Sequence, residues 1–237
     1  MFNSRLEIKK AYEEKPRGKP EEYDNVEESL SRHFRIRYIV NLTTEKDIIL
    51  DLGSGQGYVG KCLEKELNTY IALDISSKAL KTGKKLLPRQ HFILTDITQL
   101  PIKDEIADLV ICSEVLEHIP KYDKLLNMIY KSLKKNGCTI ITTPNYYNPD
   151  IFLRLILKGK STKQIYNRPI PYKIIINKLR KKNFNIELLD FFYYHLSNLL
   201  PLFPIINRKI HLIMLKTSNL FHIPTGLYMI LKARKLG

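Results

Sequence analysis

Asp51-Leu52-Gly53-Ser54-Gly55-Gln56-Gly57 sets an acid ahead of three glycines spaced at every second residue. Glycines at such a turn let backbone amides approach a ligand closely, and the N-terminus of a following helix adds a partial positive charge. Two more acids follow at the ends of apolar runs. Asp74 closes Thr69-Tyr70-Ile71-Ala72-Leu73, where a carboxylate can accept hydrogen bonds from both ribose hydroxyls of an adenosine ligand. Asp96 closes His91-Phe92-Ile93-Leu94-Thr95, where it can receive an adenine amino group. A fourth cluster is Glu114-Val115-Leu116-Glu117-His118. With an ordinary pKa of about 6.5, His118 suits a base that takes the proton of a phenol, enol or amine. The other reading of Glu117 and His118 is that they fix a loop, and the residues alone leave both open.

These groups need a scaffold that brings the ends of several strands together. Asp47–Leu52, Thr69–Asp74, His91–Asp96, Ala107–Cys112 and Cys138–Thr143 read as strands. Gly57–Leu67, Ser76–Leu87 and Tyr122–Lys135 read as helices between them, the second capped by Ser76 or Ser77 and the third ended by Asn136-Gly137. Pro171–Lys182 adds a helix, and Ile186–His195 and Thr225–Ala233 add two strands. Alternation of near-continuous apolar strands with helices predicts an α/β fold: a parallel sheet covered on both faces, in a Rossmann-like three-layer sandwich. Ligands in such sheets bind beyond the carboxyl ends of the strands, near the topological switch point. All four clusters fall there.

Gly55-Gln56-Gly57-Tyr58-Val59-Gly60 also spells the GxGxxG of dinucleotide sites, a weak signal alone. It accounts less well for Asp51 ahead of the first glycine and for the acid after the third strand. DLGSGQG, IALDIS and ILTDITQLPIKDEIADLVICSEVLEHI together resemble the class I S-adenosylmethionine-dependent methyltransferases, in the type-11 branch with quinone-biosynthesis and small-molecule enzymes. The likeness runs from about Lys46 to Asn145. It implies a seven-stranded sheet whose last strand is antiparallel, and S-adenosyl-L-methionine as cofactor without a metal. It further implies that Asp51 with Gly53, Ser54, Gly55 and Gly57 brackets the methionine part, Asp74 and Ile75 the ribose, and Asp96 with Ile97 the adenine. Ser113 and Glu114 would line the methyl-transfer face, with His118 as the candidate catalytic base. Tyr146 and Tyr147 are candidates for the acceptor pocket or for covering the sheet end.

Composition bounds the rest. The 237 residues carry 39 Lys and Arg against 24 Asp and Glu, a formal net charge of +15. Residues 150–237 hold 16 basic and 3 acidic residues, so the last third carries most of the surplus. That field suits an anionic substrate, an anionic membrane surface or nucleic acid, or it reflects lysine used as the default surface residue. The three cysteines (Cys62, Cys112, Cys138) are too scattered for a zinc site or disulfide framework, and indicate a reducing, cytoplasmic setting. No secretory signal and no spanning helix are expected. Residues 1–45 are expected to form a helical lid, with a helix over Glu21–Leu42 and Tyr12, Tyr23, His33 and Arg37 as candidate contacts; 46–237 are the methyltransferase domain. Within it, 196–221 form an apolar, basic insertion with Pro201, Pro204, Arg208 and Lys209. Its pattern fits an interfacial element, a packing hairpin or a subunit contact. The expected partner is a small-molecule or lipid-like acceptor at the membrane surface. RNA is the alternative, against which stands Cys112-Ser113-Glu114-Val115 where the base-amino methyltransferases of this superfamily carry [DNS]PP[YFW].

Overall fold

The computed structural model describes residues 26–44, 47–99, 103–148, 168–192 and 226–237. The five parallel strands are β1 (Ile48–Leu52), β2 (Thr69–Asp74), β3 (His91–Leu94), β4 (Ala107–Ser113) and β5 (Leu133–Pro144). β6 (Phe184–Phe192) and β7 (Tyr228–Lys235) complete a seven-stranded sheet of order β3-β2-β1-β4-β5-β7-β6. β7 runs antiparallel to both of its neighbours. The chain leaves β1 toward β2 and β3, then returns to place β4 on the other side of β1. That reversal opens a crevice at the carboxyl ends of β1 and β4. Register puts Asp51 level with Ala72 of β2 and Ile111 of β4, so the acid sits at the rim of the sheet.

Side chains alternate between two apolar layers. Leu50, Leu52, Val110, Cys112, Ile141 and Leu231 face α4 (Tyr122–Ser132) and α5 (Tyr172–Lys181), which contribute Leu125, Ile129, Ile175 and Leu179. Ile49, Leu109, Ile111, Ile140 and Ile230 face α1 (Val26–Leu42) and α2 (Tyr58–Leu63), which contribute Ile39, Val59 and Leu63. α3 (Ser77–Leu86) packs beside β2 and β3, with Ser76 as its N-cap accepting from the Ala79 N–H at 3.3 Å.

Several boundaries differ from the sequence expectation. α2 is shorter than expected, and a 3-10 turn over Glu64–Glu66 follows it. β3 ends at Leu94 rather than Asp96, because the Asp96 carboxylate accepts from the N–H and hydroxyl of Thr98 at 2.9 and 2.7 Å and turns the backbone out of the ladder. α4 ends at Ser132, and β5 begins at Leu133, not Cys138. Ala107 pairs with Leu133 while Leu109 pairs with Cys138, so Asn136-Gly137 marks an irregularity inside a strand and not the end of a helix. Asn136 there takes φ 62°. β7 spans 228–235 instead of 225–233. Its late lysines find partners: Lys235 Nζ donates to Leu133 O at 2.7 Å, and Lys232 Nζ to Leu42 O at 3.1 Å and Thr44 Oγ1 at 3.0 Å. β6 begins at Phe184, two residues early, and its expected last residues 193–195 lie outside the described residues. The same holds for 1–25, with Tyr12 and Tyr23, and for the insertion 196–221. No helix among the described residues is long and apolar enough to cross a membrane.

Candidate active site

The glycine turn is held to β2 by backbone and side chain together. The Gly53 and Ser54 N–H groups both donate to Leu73 O, at 2.8 and 3.1 Å. Asp74 Oδ2 accepts from the Gly55 N–H at 2.7 Å, and its Oδ1 from the Ser76 N–H at 2.8 Å. One carboxylate therefore ties the turn to the first residues of α3. Gly53, Gly55 and Gly57 take φ of +69°, +55° and +71°, a region that side chains with a Cβ rarely adopt. A Cβ on Gly53 would lie 2.4 Å from Val115 Cγ2, whereas one on Gly55 would meet nothing within 4 Å. The turn is thus packed on one side and open on the other.

Asp51 is buried, at 2 % exposure, and accepts a hydrogen bond from the Tyr70 hydroxyl. Burial raises its pKa to about 7; the Tyr70 bond pulls it down, and the charge of Asp74 adds to the rise. Beyond β4, Glu114 takes φ 58°, and its Oε1 accepts from Thr142 Oγ1 at 3.1 Å. Thr142 Oγ1 also lies 2.9 Å from Ser113 Oγ. Arg35 of α1 reaches Glu114 Oε2 at 3.9 Å, its guanidinium 5.5 Å from the Tyr228 ring centroid. Glu117 is buried and accepts from Thr143 Oγ1 at 3.1 Å; burial first, then the charge of Glu114, push its pKa well up. His118 Nε2 stands 3.9 Å from Glu117 Oε1, in a 3-10 turn over Leu116–His118. Tyr146 and Tyr147 are 44 % exposed and begin an edge-to-face run through Tyr172 to Phe191, with centroids 5.2–5.6 Å apart.

Asp51, the three glycines, Asp74, Ser113 and Glu114 thus meet at the carboxyl ends of β1, β2 and β4. Asp96 and Ile97 stand past the end of β3, next to the Thr95 N–H that donates to Asp74 O at 2.9 Å. His33 and Arg37, the expected α1 contacts, are exposed, and Arg35 is the α1 residue that reaches the site. The sequence pointed past it, although Arg35 lies four residues before the buried Ile39 and so shares its helix face. Tyr70 likewise reads, in the sequence, as one more residue of an apolar strand.

The residues fit an adenosyl–methionine ligand on a structural ground. Ser54 Oγ and Gln56 Oε1 are buried in the glycine turn without a hydrogen-bond partner. Buried polar atoms seldom remain unpaired, and no partner for these two oxygens occurs among the described residues, so they fit a ligand that brings hydrogen-bonding groups. No group of three or more metal-ligating side chains occurs among the described residues.

Glycine turn and strand order together define a Rossmann-like α/β domain. Residues 50–141 match the family model described as a methyltransferase domain. Over that segment the chain is similar to the methyltransferase-domain family. It is 34 % identical over 154 residues to an uncharacterized protein of Methanocaldococcus jannaschii, covering 65 % of this chain and 60 % of that protein. It is 33 % identical over 140 residues to the demethylmenaquinone methyltransferase of Chlamydia caviae, covering 54 % of this chain and 60 % of the relative. The chain thus spans 60 % of the length of each of these curated relatives. In fold it is similar to a SAM-dependent methyltransferase from Archaeoglobus fulgidus, with TM-score 0.65 and 19 % identity over 95 % of this chain and 98 % of that one.

Proposed function

We propose that the protein transfers a methyl group from S-adenosyl-L-methionine to a small-molecule or lipid-like acceptor. The observation that carries this reading is the glycine turn pinned by Asp74, with Ser54 Oγ and Gln56 Oε1 left for a ligand. In this proposal Asp51, Gly53, Ser54, Gly55 and Gly57 hold the methionine end of the cofactor. Asp74 and Ile75 hold the ribose, and Asp96 and Ile97 the adenine. When bound, the cofactor supplies a methyl group on a sulfonium, an electrophile that needs alignment more than activation. Ser113 and Glu114 line the reacting face. His118, whose Nε2 faces Glu117 Oε1, takes the acceptor proton.

Asp74→Ala is expected to weaken S-adenosylhomocysteine binding about 10- to 150-fold, the worth of a charge-assisted hydrogen bond at about 1.5–3 kcal/mol. Calorimetry reads this directly, and an unchanged affinity would remove Asp74 from the site.

The acceptor class rests on three supports: the exposed tyrosine run beside β5, the basic last third of the chain, and a relative that is named for demethylmenaquinone. A prenylated phenol presented in anionic vesicles is the acceptor to try, with transfer of a labelled methyl as readout. His118→Asn should lower kcat by about 10²-fold or more at unchanged S-adenosylhomocysteine affinity. A full rate in that variant would return His118 to a loop-fixing role. Methyl transfer to RNA and none to the vesicle-borne phenol would overturn the lipid reading.

A further inference from the structure

The cofactor reading gives Asp51 a task but leaves its neighbour Tyr70 without one. Tyr70 is fully buried on β2, level with Ile49 of β1, and its hydroxyl reaches along the strand to Asp51 Oδ2. The ring occupies space that only glycine leaves free, since a Cβ on Gly60 of α2 would stand 2.6 Å from its Cε1. A phenol walled in this way cannot swing away from the carboxyl it serves. We propose that Tyr70 is a positioning residue for cofactor binding: it aims the Asp51 carboxylate and favours its charged form, so that affinity for the cofactor follows the ionisation of this pair.

The groups that face Asp51 are few. Among the described residues they are Tyr70 and Asp74, both of β2, while Cys112 of β4 lies in the layer on the other face of the sheet. Burial and Asp74 disfavour the Asp51 anion, and Tyr70 is the group that favours it. The cofactor's ammonium and sulfonium are cations, so they select the ionised carboxylate. Binding below neutral pH must then release a proton from Asp51.

The inference rests on the cofactor reading above, and its test separates the two. S-adenosylhomocysteine, which keeps the ammonium, is titrated into the full chain by calorimetry from pH 5.5 to 9, in two buffers of different ionisation enthalpy. The wild-type affinity should rise with pH and level off above about 7, with proton release below that point. Tyr70→Phe keeps the ring but loses the donor. Its midpoint should move up by about one pH unit, costing about fivefold in affinity at pH 7 and little at pH 9. Asp51→Asn should abolish the pH dependence, which keeps the test sound if Tyr70→Phe folds poorly. A Tyr70→Phe midpoint equal to wild type, or a midpoint that survives Asp51→Asn, overturns the inference while leaving the cofactor reading intact. No binding by the wild-type chain at any pH overturns both.

Discussion

Asp51→Asn should make the ligand-free protein more stable at pH 8 by on the order of 2–4 kcal/mol. Native Asp51 holds its proton up to about pH 7, against 3.8 for the unfolded group. Between these values the folded state retains a proton that the unfolded chain releases, so raising the pH favours unfolding. The loss is complete above about 7 and absent below about 3.8. Asparagine keeps the acceptor for the Tyr70 hydroxyl and carries no charge to bury, but its amide adds a donor that offsets part of the gain. Urea unfolding at pH 5, 6.5 and 8 reads the effect as a gap between wild type and variant that widens with pH. A gap independent of pH over this range would show that Asp51 is already ionised in the folded protein at pH 5, its pKa not raised. If the gap follows this course, the site carries a charge that weakens the empty fold and is placed there for its ligand.

Gly53→Ala should lower stability by about 2–4 kcal/mol. Two costs combine. Alanine at φ +69° is strained, and its Cβ would stand 2.4 Å from Val115 Cγ2, a short branched side chain with little room to turn. Gly55→Ala has the strain without the clash, as nothing lies within 4 Å of the added atom, and should cost about 1 kcal/mol. Gly53→Ala with Val115→Ala should recover the steric part only. Equal urea midpoints for the two single variants would contradict the difference in packing between the two sides of the turn.

The sequence carried the alternation of apolar strands and helices well, because β1, β2, β4 and β5 are buried along most of their length and read as apolar runs, as does the more exposed β3. Ser76 was legible as a cap because its hydroxyl has one partner three residues away. What stayed hidden depends on distant residues. The start of β5 was masked by Lys134 and Lys135, which look like the end of a basic helix; Lys134 in fact pairs with Asp108 at 2.8 Å across the sheet. The extent of β7 was masked because Lys232 and Lys235 are buried, and carbonyls from α1 and β5, with the Thr44 hydroxyl and the Glu105 carboxylate, make that tolerable. In the site, the glycine turn and its tie to Asp74 were legible because their conformations and hydrogen bonds follow from local backbone geometry. Arg35 and Tyr70 were not, since each matters through a residue far away in the chain.

The place of β7 has a consequence for how the chain comes off the ribosome. It sits between β5 and β6 yet follows both in the sequence, so β6 and the helix before it have no seat in the sheet while they are being made. The half with the glycine turn can assemble as it emerges, but the other half must wait, its apolar strand bare, for residues 228–235. Chaperone demand and vulnerability to nascent-chain proteolysis should therefore concentrate in the interval between the synthesis of β6 and that of β7.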